Sequence, residues 1–341
     1  MAQARDPWEF IVSTQKSGIY ESNYLKGNSP DGNRGFWIKH NLLSAHETPD
    51  AGNAAAHLMG EFWVILFRRG HPPIVGKKLV PHTSLRLSNT NISIDTQKIH
   101  LQPTKATGTI GCIRWDLSLT EGGPPLLHLP WDWMYRAGFP KKKLVTPHPN
   151  ARFNGRIQWG DQTWELDNWI GMRGHNWGTE HAHQYAYGNC NLWDDGVDRV
   201  VDGFTAQVKL GPVKSPWLSS LVARNPNIAQ NQLRHWFRAG QVSPGQWRLG
   251  WPSPSSSDQN ATVLTMSTDP TTYVGLRYEH PDGSESYCYN TKFADVEWRA
   301  QGERFTSKCG ELEVLFPDPL ADVPMHPTKE WDPGAGDYLS L

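Results

Sequence analysis

The chain has 341 residues, with 33 Lys and Arg against 34 Asp and Glu, and a formal net charge of −1. This balance, without a long basic run, argues against a nucleic-acid-binding surface. No stretch approaches the roughly 18 consecutive apolar residues of a membrane span. The N-terminal segment lacks the basic and apolar parts of a secretory signal, so we expect a cytoplasmic protein.

The cysteines and tryptophans narrow the structural class. The four cysteines, Cys112, Cys190, Cys288 and Cys309, form no CxxC pair, which argues against a disulfide scaffold and a thiolate zinc site. The chain has 17 Trp although only 38% of its residues are hydrophobic and its mean hydropathy is −0.59. Such a polar but aromatic-rich chain favours strands over a helical bundle.

Short apolar or alternating runs bounded by turn residues recur along the chain and predict about fourteen strands. Clear examples are residues 35–43, 61–69, 111–119, 156–160, 162–169, 204–211, 261–268, 286–300 and 311–316. Gly160-Asp161 and Asp282-Gly283 are typical of tight hairpins. The best helix candidate is 225–240. Because roughly eight strands make a ligand-holding barrel, we predict an all-β fold of two tandem barrels with one or two short helices.

The natural domain boundary lies in residues 137–155, which are rich in Pro, Lys and polar residues. We therefore expect an N-terminal barrel over 1–145 and a C-terminal barrel over 146–341. The three lysines at 141–143 could receive an anionic or diphosphate group, although a solvated loop is the favoured interpretation. In the strand at 36–43, alternation puts Phe36, Ile38, His40 and Leu42 on one face, and Trp37, Lys39, Asn41 and Leu43 on the other.

The densest polar cluster is residues 172–191. A strand there would put His181, His183, Tyr185 and Tyr187 on one face, as either a pocket wall or a solvent-facing stripe. His175 and Glu180 could complete a zinc or iron site with the His-x-His pair. The spacing is loose, so ordinary hydrogen-bonded pocket histidines are favoured and no metal is expected.

Asp202 lies among apolar residues in a segment that otherwise has the pattern of a strand. A carboxyl group facing an aromatic pocket would be a general acid near neutral pH. The alternative is a turn aspartate, because Asp-Gly is a common turn pair; the residues alone favour the turn. The sequence has no GxSxG elbow and no strand–GxGxxG–helix motif, so we expect no organic cofactor.

Three ordered motifs carry a resemblance to a known superfamily. They are GIYESNYLKGNSPDG with GFWIKHNLL (18–43), GHNWG followed by HA and YGNCN (174–191), and VVDGFTAQVKLGPVKSPWL (200–218). Together they resemble the lipocalin-like carotenoid 1,2-hydratases (hydroxyneurosporene synthases), with the related tocopherol cyclases and fungal lipocalin-like Diels–Alderases. The resemblance spans roughly residues 15 to 320.

The resemblance implies two calycin-type barrels around an apolar pocket for an isoprenoid or polyene. His175 and Trp177 match the His-x-Trp pair that the hydratases use in protonating a terminal C=C bond. Asp202 matches their downstream aspartate, but Val201 stands where they have a tyrosine. This departure puts strict hydration in doubt, and Tyr187 is a candidate substitute.

We therefore expect an enzyme that protonates a C=C bond of an apolar substrate, followed by cyclisation or hydration. The expected catalytic residues are Asp202 as donor, His175 as its orienting partner, Trp177 as a cation-facing wall, and Tyr187. The expected substrate-binding residues are Trp37, Tyr24, Asn176, His181, Tyr185 and Phe204.

Three other functions stay open at this point. The first is a pericyclic cyclase that acts by holding the reactive conformer, and the second is a non-catalytic lipid-binding protein. The third and weakest is a carbohydrate enzyme using Asp194, Asp195 and Asp198. The expected partner is a small hydrophobic substrate, which would bring the protein to a membrane surface; no nucleic-acid partner is expected.

Overall fold

The computed structural model describes residues 18–44, 58–88, 93–96, 98–210, 213–237, 240–252, 255–279, 284–326 and 338–340. Within these ranges the chain is almost entirely β. The expected turn at Asp282-Gly283 lies outside the described residues. None of the described helices is long and apolar enough to cross a membrane.

The strands of the first half, in chain order, are β1 (Ile19–Asn28), β2 (Arg34–Ser44), β3 (Leu58–Arg68), β4 (Ile74–Pro81), β5 (Arg86–Ser88), β6 (Ser93–Asp95), β7 (Ile99–Leu101), β8 (Lys105–Ile110), β9 (Ile113–Leu119), β10 (Leu126–Leu127), β11 (Lys142–Trp159) and β12 (Gln162–Gly178). Those that follow are β13 (Gln184–Cys190), β14 (Val200–Gln207), β15 (Lys209–Leu210), β16 (Val213–Lys214), β17 (Leu218–Arg224), β18 (Ile228–Gln230), β19 (Gln241–Ser243), β20 (Gln246–Trp251), β21 (Thr262–Ser267), β22 (Val274–Glu279), β23 (Glu285–Ala300), β24 (Glu303–Phe316) and β25 (Tyr338–Ser340).

Two large antiparallel sheets, each curled into a half-barrel, form the molecule. The first has the order β25-β4-β3-β2-β1-β12-β11-β9-β8-β7-β6-β5, with β10 added beside β11. The second has the order β18-β17-β14-β13-β24-β23-β21-β20-β19, with β22 beside β23. Strands β15 and β16 form a separate small ribbon. The prediction of an all-β fold with tandem lipocalin-like barrels is confirmed.

Each half-barrel encloses its own apolar core. In β2, Phe36, Ile38 and Leu42 join the first core, whereas Trp37 belongs to a third cluster between the sheets. The alternation predicted for this strand is therefore confirmed. The tight hairpin at Gly160-Asp161 is also confirmed, because Trp159 pairs with Gln162 across it. There Gly160 adopts a positive φ of 50°, which glycine tolerates without a steric cost.

Helices are short and peripheral. The single described α-helix, α1, spans Leu233–Trp236, and 3-10 turns cover His82–Ser84, Asp132–Tyr135 and Pro270–Thr272. The helix expected over 225–240 is much shorter because residues 228–230 form β18 and pair with β17.

The chain passes from the first sheet to the second between β12 and β13, since β11 and β12 both belong to the first sheet. The boundary expected between residues 145 and 146 falls inside β11. Where the chain divides into separate folding units stays a prediction.

Candidate functional site

The principal cavity lies between the two half-barrels. Strands β1, β2, β11 and β12 contribute one wall, and β13, β14, β22 and β24 contribute the facing wall. The cavity has a volume of about 110 Å³. This is the volume open to the centres of water-sized spheres, of which each needs roughly 10–15 Å³, so the cavity holds on the order of ten water-sized groups. Its walls are mainly aromatic and aliphatic, as in most small-molecule sites.

Segments that contribute to the cavity lining also carry exposed aromatic side chains. Leu129, Pro140 and Trp236 line the cavity. Close to them in sequence, four aromatic residues are about half exposed or more: Trp131 (47%), Trp133 (58%), Phe139 (54%) and Phe237 (65%). The rings of Trp131 and Trp133 stack with centroids 5.9 Å apart. We call these four residues the aromatic rim.

Seven of the residues expected at the site line this cavity: Tyr24, Trp37, Asn176, His181, Tyr185, Tyr187 and Phe204. Strand periodicity accounts for Tyr185 and Tyr187. On β13 the side chains of Tyr185 and Tyr187 point to the cavity, and Ala186 points to the core of the second sheet. The two-residue period does not extend back to His183, because β13 begins at Gln184.

Asp202 lies within strand β14, where it pairs with Asn189 on one side and Val222 on the other. The turn interpretation of Asp202-Gly203 is therefore wrong. Gly203 serves close packing instead, since a Cβ there would lie 2.8 Å from the carbonyl oxygen of Ser220. The Asp202 side chain is fully buried, on the same face of β14 as Phe204.

Four side chains hold the Asp202 carboxyl group. Thr146 Oγ1 donates to Oδ2 at 2.8 Å, and Tyr187 Oη and Asn189 Nδ2 donate to the same oxygen at 3.1 Å each. His128 Nε2 lies 3.1 Å from Oδ1. Both oxygens are thus engaged, and the network reaches the cavity through Tyr187 and His128, which line it.

Ser220 determines which tautomer of His128 fits the network. Its hydroxyl lies 3.2 Å from His128 Nδ1 and donates to the backbone carbonyl of His128 at 3.3 Å. With its proton committed to that carbonyl, the Ser220 oxygen accepts from Nδ1–H. With Nδ1–H donating to Ser220, one proton between Nε2 and Asp202 Oδ1 completes the hydrogen bonding of the pair.

Tyr187 is the cavity-facing end of the network. Burial raises the pKa of Tyr187 well above its usual value, and the nearby Asp202 carboxyl group adds to the effect. The phenol therefore stays protonated at any physiological pH.

The side chains of His175 and Trp177 lie on the face of β12 opposite that of Asn176, which lines the cavity. His175 Nε2 contacts Glu21 Oε1 at 2.7 Å inside the first half-barrel, and both side chains are buried. The histidine in contact with Asp202 is His128. Trp177 packs on His175, with ring centroids 4.7 Å apart, and joins the cluster of Leu129 and Trp236. It thus lies behind the cavity wall, and its catalytic role stays a prediction.

The interior of the first half-barrel holds further buried polar groups. Arg173 donates to the carbonyls of Gln102 and Pro103 at 3.0 and 2.9 Å and to Asn23 Oδ1 at 3.1 Å. Burial, with Arg173 nearby, lowers the pKa of His40 to about 3 and that of His148 to about 4. Both histidines are therefore neutral at physiological pH.

Several members of the site escaped sequence analysis: His128, Thr146, Asn189 and Ser220. His128 follows β10, which pairs with Thr146 and Val145 of β11. Only Asn189 carried a usable signal, because it stands two residues beyond Tyr187 on the same face of one strand. Among the described residues, no group of three or more His, Cys, Asp and Glu side chains is placed to hold a metal ion.

Comparison with solved structures shows where this fold occurs. A protein assigned as AttH from Nitrosomonas europaea superposes with a TM-score of 0.51 and 14% identity, over 86% of this chain and 91% of that one. CghA, solved with Sch210972, has a TM-score of 0.50 and 10% identity, over 87% and 88%. Kievitone hydratase from Nectria haematococca has a TM-score of 0.47 and 8% identity, over 88% and 89%.

At these identities the first two similarities establish a shared fold. No protein-family model matches the chain, and no curated protein matches its sequence.

Proposed function

We propose that this protein is an enzyme that protonates a carbon–carbon double bond of an apolar substrate held between its two half-barrels. The resulting cation is captured by water, or by a hydroxyl group or second double bond of the substrate. The observation that carries the proposal is the fully buried Asp202–His128 pair, connected to an aromatic cavity through the hydroxyl of Tyr187.

The proton path follows from the contacts. Tyr187 gives its hydroxyl proton to the substrate carbon. It regains a proton from Asp202 once the one proton shared by His128 Nε2 and Asp202 Oδ1 has moved to Oδ2, which leaves a neutral imidazole, a carboxylate and a neutral phenol. General acid catalysis of this kind contributes about 10²–10⁴-fold to a rate. Capture of the cation by water or by a hydroxyl group releases one proton, and capture by a second double bond gives a new cation that loses a proton from a neighbouring carbon. In each case the proton returns to the network and balances the reaction.

The cavity wall suits a cationic intermediate. Trp236 lines it, and its ring face attracts cations through the quadrupole of the π-system. It can take the role expected of Trp177. An apolar cavity also limits premature capture of the cation by solvent.

The test is turnover of candidate polyenes in D₂O, followed by mass analysis of the product. Proton-initiated addition or cyclisation leaves one deuterium on carbon, whereas a pericyclic reaction leaves none. Asp202→Asn should lower turnover by at least about 100-fold while binding stays near wild type. Asp161→Asn, in the exposed β11–β12 turn, is the matched control.

Three results would overturn the proposal. Full turnover in Asp202→Asn would mean that cavity shape alone is sufficient. A product without deuterium would exclude protonation of carbon. Bound but unchanged ligand across the polyene panel would indicate a lipid-binding protein.

A further inference from the structure

Two lysines from different strands extend into the cavity beside its aromatic walls. Lys39 Nζ lies 3.8 Å from the ring centroid of Tyr278 and 5.5 Å from that of Trp37. Lys142 Nζ lies 4.0 Å from the ring centroid of Tyr185. Within the described part of the chain, aromatic faces are the contacts of both ammonium groups, and neither is hydrogen-bonded or paired within 4.0 Å with a carboxylate.

Lys142 contrasts with its neighbour in sequence. Lys141 is exposed and forms an ion pair with Glu180. Lys142 is the first residue of β11, and its side chain lines the cavity. Of the three lysines expected in a solvated loop, Lys142 and Lys143 therefore belong to the cavity wall, and Lys143 Nζ donates to the backbone carbonyl of Pro140 at 2.6 Å.

Glu313 is the carboxylate that lines the same part of the cavity, and its oxygens are already engaged. The Tyr185 hydroxyl donates to Oε1, and Asn290 Nδ2 donates to Oε2 at 2.8 Å. Lys39, Lys142 and Lys143 thus border the cavity with one committed carboxylate, so positive charge is in excess among its aromatic side chains.

Burying a charge without a partner costs free energy. A cation–π contact with a desolvated ring recovers only part of that cost, less than a full counter-ion supplies. Burial lowers the pKa of both lysines, that of Lys142 to about 8, although Glu313 acts in the opposite direction. The site lacks a second anion, and the cavity is where a ligand would supply it.

We propose that the ligand of this cavity is an apolar molecule with one ionised oxygen acid, a carboxylate or an enolate, bound by Lys39 and Lys142. The inference rests on the proposed function for the site and names its substrate class. Tyr185, beside Lys142, and Tyr187, at the end of the proton chain, are two residues apart on β13. Their Cα atoms are therefore roughly 7 Å apart. The anionic group and the reacting double bond would therefore contact neighbouring side chains of one strand.

The test compares two probes that differ in charge but share a ring system: 2-naphthoate and the neutral 2-naphthamide. Binding of each to the full-length protein is measured by calorimetry at pH 7. We expect wild type to bind 2-naphthoate at least about tenfold more tightly, in line with hydrogen bonds to charged groups. Lys39→Met and Lys142→Met should each lose about tenfold for 2-naphthoate and change less than about twofold for 2-naphthamide.

Lys141→Met is the matched control, because this lysine is exposed and paired with Glu180. It should leave both affinities unchanged. Lys39→Met should fold at least as stably as wild type, since it removes a buried charge without a counter-ion. Lys142→Met, at a half-buried side chain, should change stability little, and melting temperatures check both expectations.

Equal affinities of wild type for the two probes would overturn the proposal. So would equal losses for both probes in the lysine variants, or binding of 2-naphthoate no tighter than about 1 mM. The result of this binding test does not depend on whether the proposed proton chain is correct. Asp202→Asn should bind 2-naphthoate like wild type, whether or not Asp202 is the acid.

Discussion

His128 and Asp202 are 74 positions apart in the chain, yet His128 Nε2 lies 3.1 Å from Oδ1 of the carboxyl group. His128 and Thr146 reach Asp202 from segments associated with the first sheet, whereas Tyr187 and Asn189 reach it from the second. Asp202 is thus a point at which the two half-barrels are joined by hydrogen bonds. The proposed acid and the junction between the sheets are the same group.

Tyr187 and Thr146 both donate to Asp202 Oδ2, but only Tyr187 lines the cavity. Tyr187→Phe keeps the ring and removes the last group of the proton chain, so kcat should fall by about 10²-fold or more. Thr146→Val removes one hydrogen bond without interrupting the chain, and kcat should fall less than about tenfold. Steady-state kinetics measures the loss of kcat in each variant, and urea unfolding measures any loss of stability. Equal losses in both variants would count against Tyr187 as the terminal donor.

Trp177 packs on His175 and belongs to the cluster that contains the cavity-lining residues Leu129 and Trp236. Trp177→Leu should therefore destabilise the protein by about 3 kcal/mol, as removing a large buried ring does, and Trp177→Phe by less. Turnover per folded molecule should remain within about tenfold of wild type in both. A Phe variant with full turnover and a Leu variant with almost none, at equal folded fractions, would instead support the cation-facing role.

Acid should destabilise the first half-barrel through His40. Its pKa is lowered to about 3 by burial, against about 6.5 in the unfolded chain. Between these values the unfolded state binds more protons, so stability is present above pH 6.5 and falls as pH decreases. From pH 6.5 to 5 the loss is about 2 kcal/mol. His148 acts in the same direction.

Urea unfolding at pH 7 and pH 5 measures this loss. His40→Gln should flatten the dependence on pH, whereas His71→Gln, at an exposed turn, should leave it unchanged. A wild-type protein equally stable at both pH values would contradict the neutral, buried state of His40.

Association with a membrane surface stays a prediction, and the aromatic rim is the surface that would make it. Tryptophan and phenylalanine favour the membrane–water interface, and the rim residues adjoin the segments that line the cavity. Wild type should co-sediment with phosphatidylcholine–phosphatidylglycerol vesicles, and the double variant Trp131→Ala/Trp133→Ala should bind at least about fivefold less. Equal co-sedimentation of the two proteins would show that the aromatic rim does not bind the vesicles.

The sequence by itself determined the features that depend on neighbouring residues. The alternation of β2, the Gly160-Asp161 hairpin and the cavity-facing pair Tyr185 and Tyr187 all follow from the two-residue period of a strand and from turn chemistry. These are local properties, so one segment contains all the information they need.

Only the tertiary structure decided which faces meet. A strand pattern separates the two sides of β12, but it does not tell which side borders the cavity and which the barrel core. For that reason His175 could be taken as the partner of Asp202, when its contact is with Glu21. His128, Thr146 and Lys142 reached the site through pairing and packing between distant segments. Such contacts depend on the relative placement of two curled sheets, which no local period encodes.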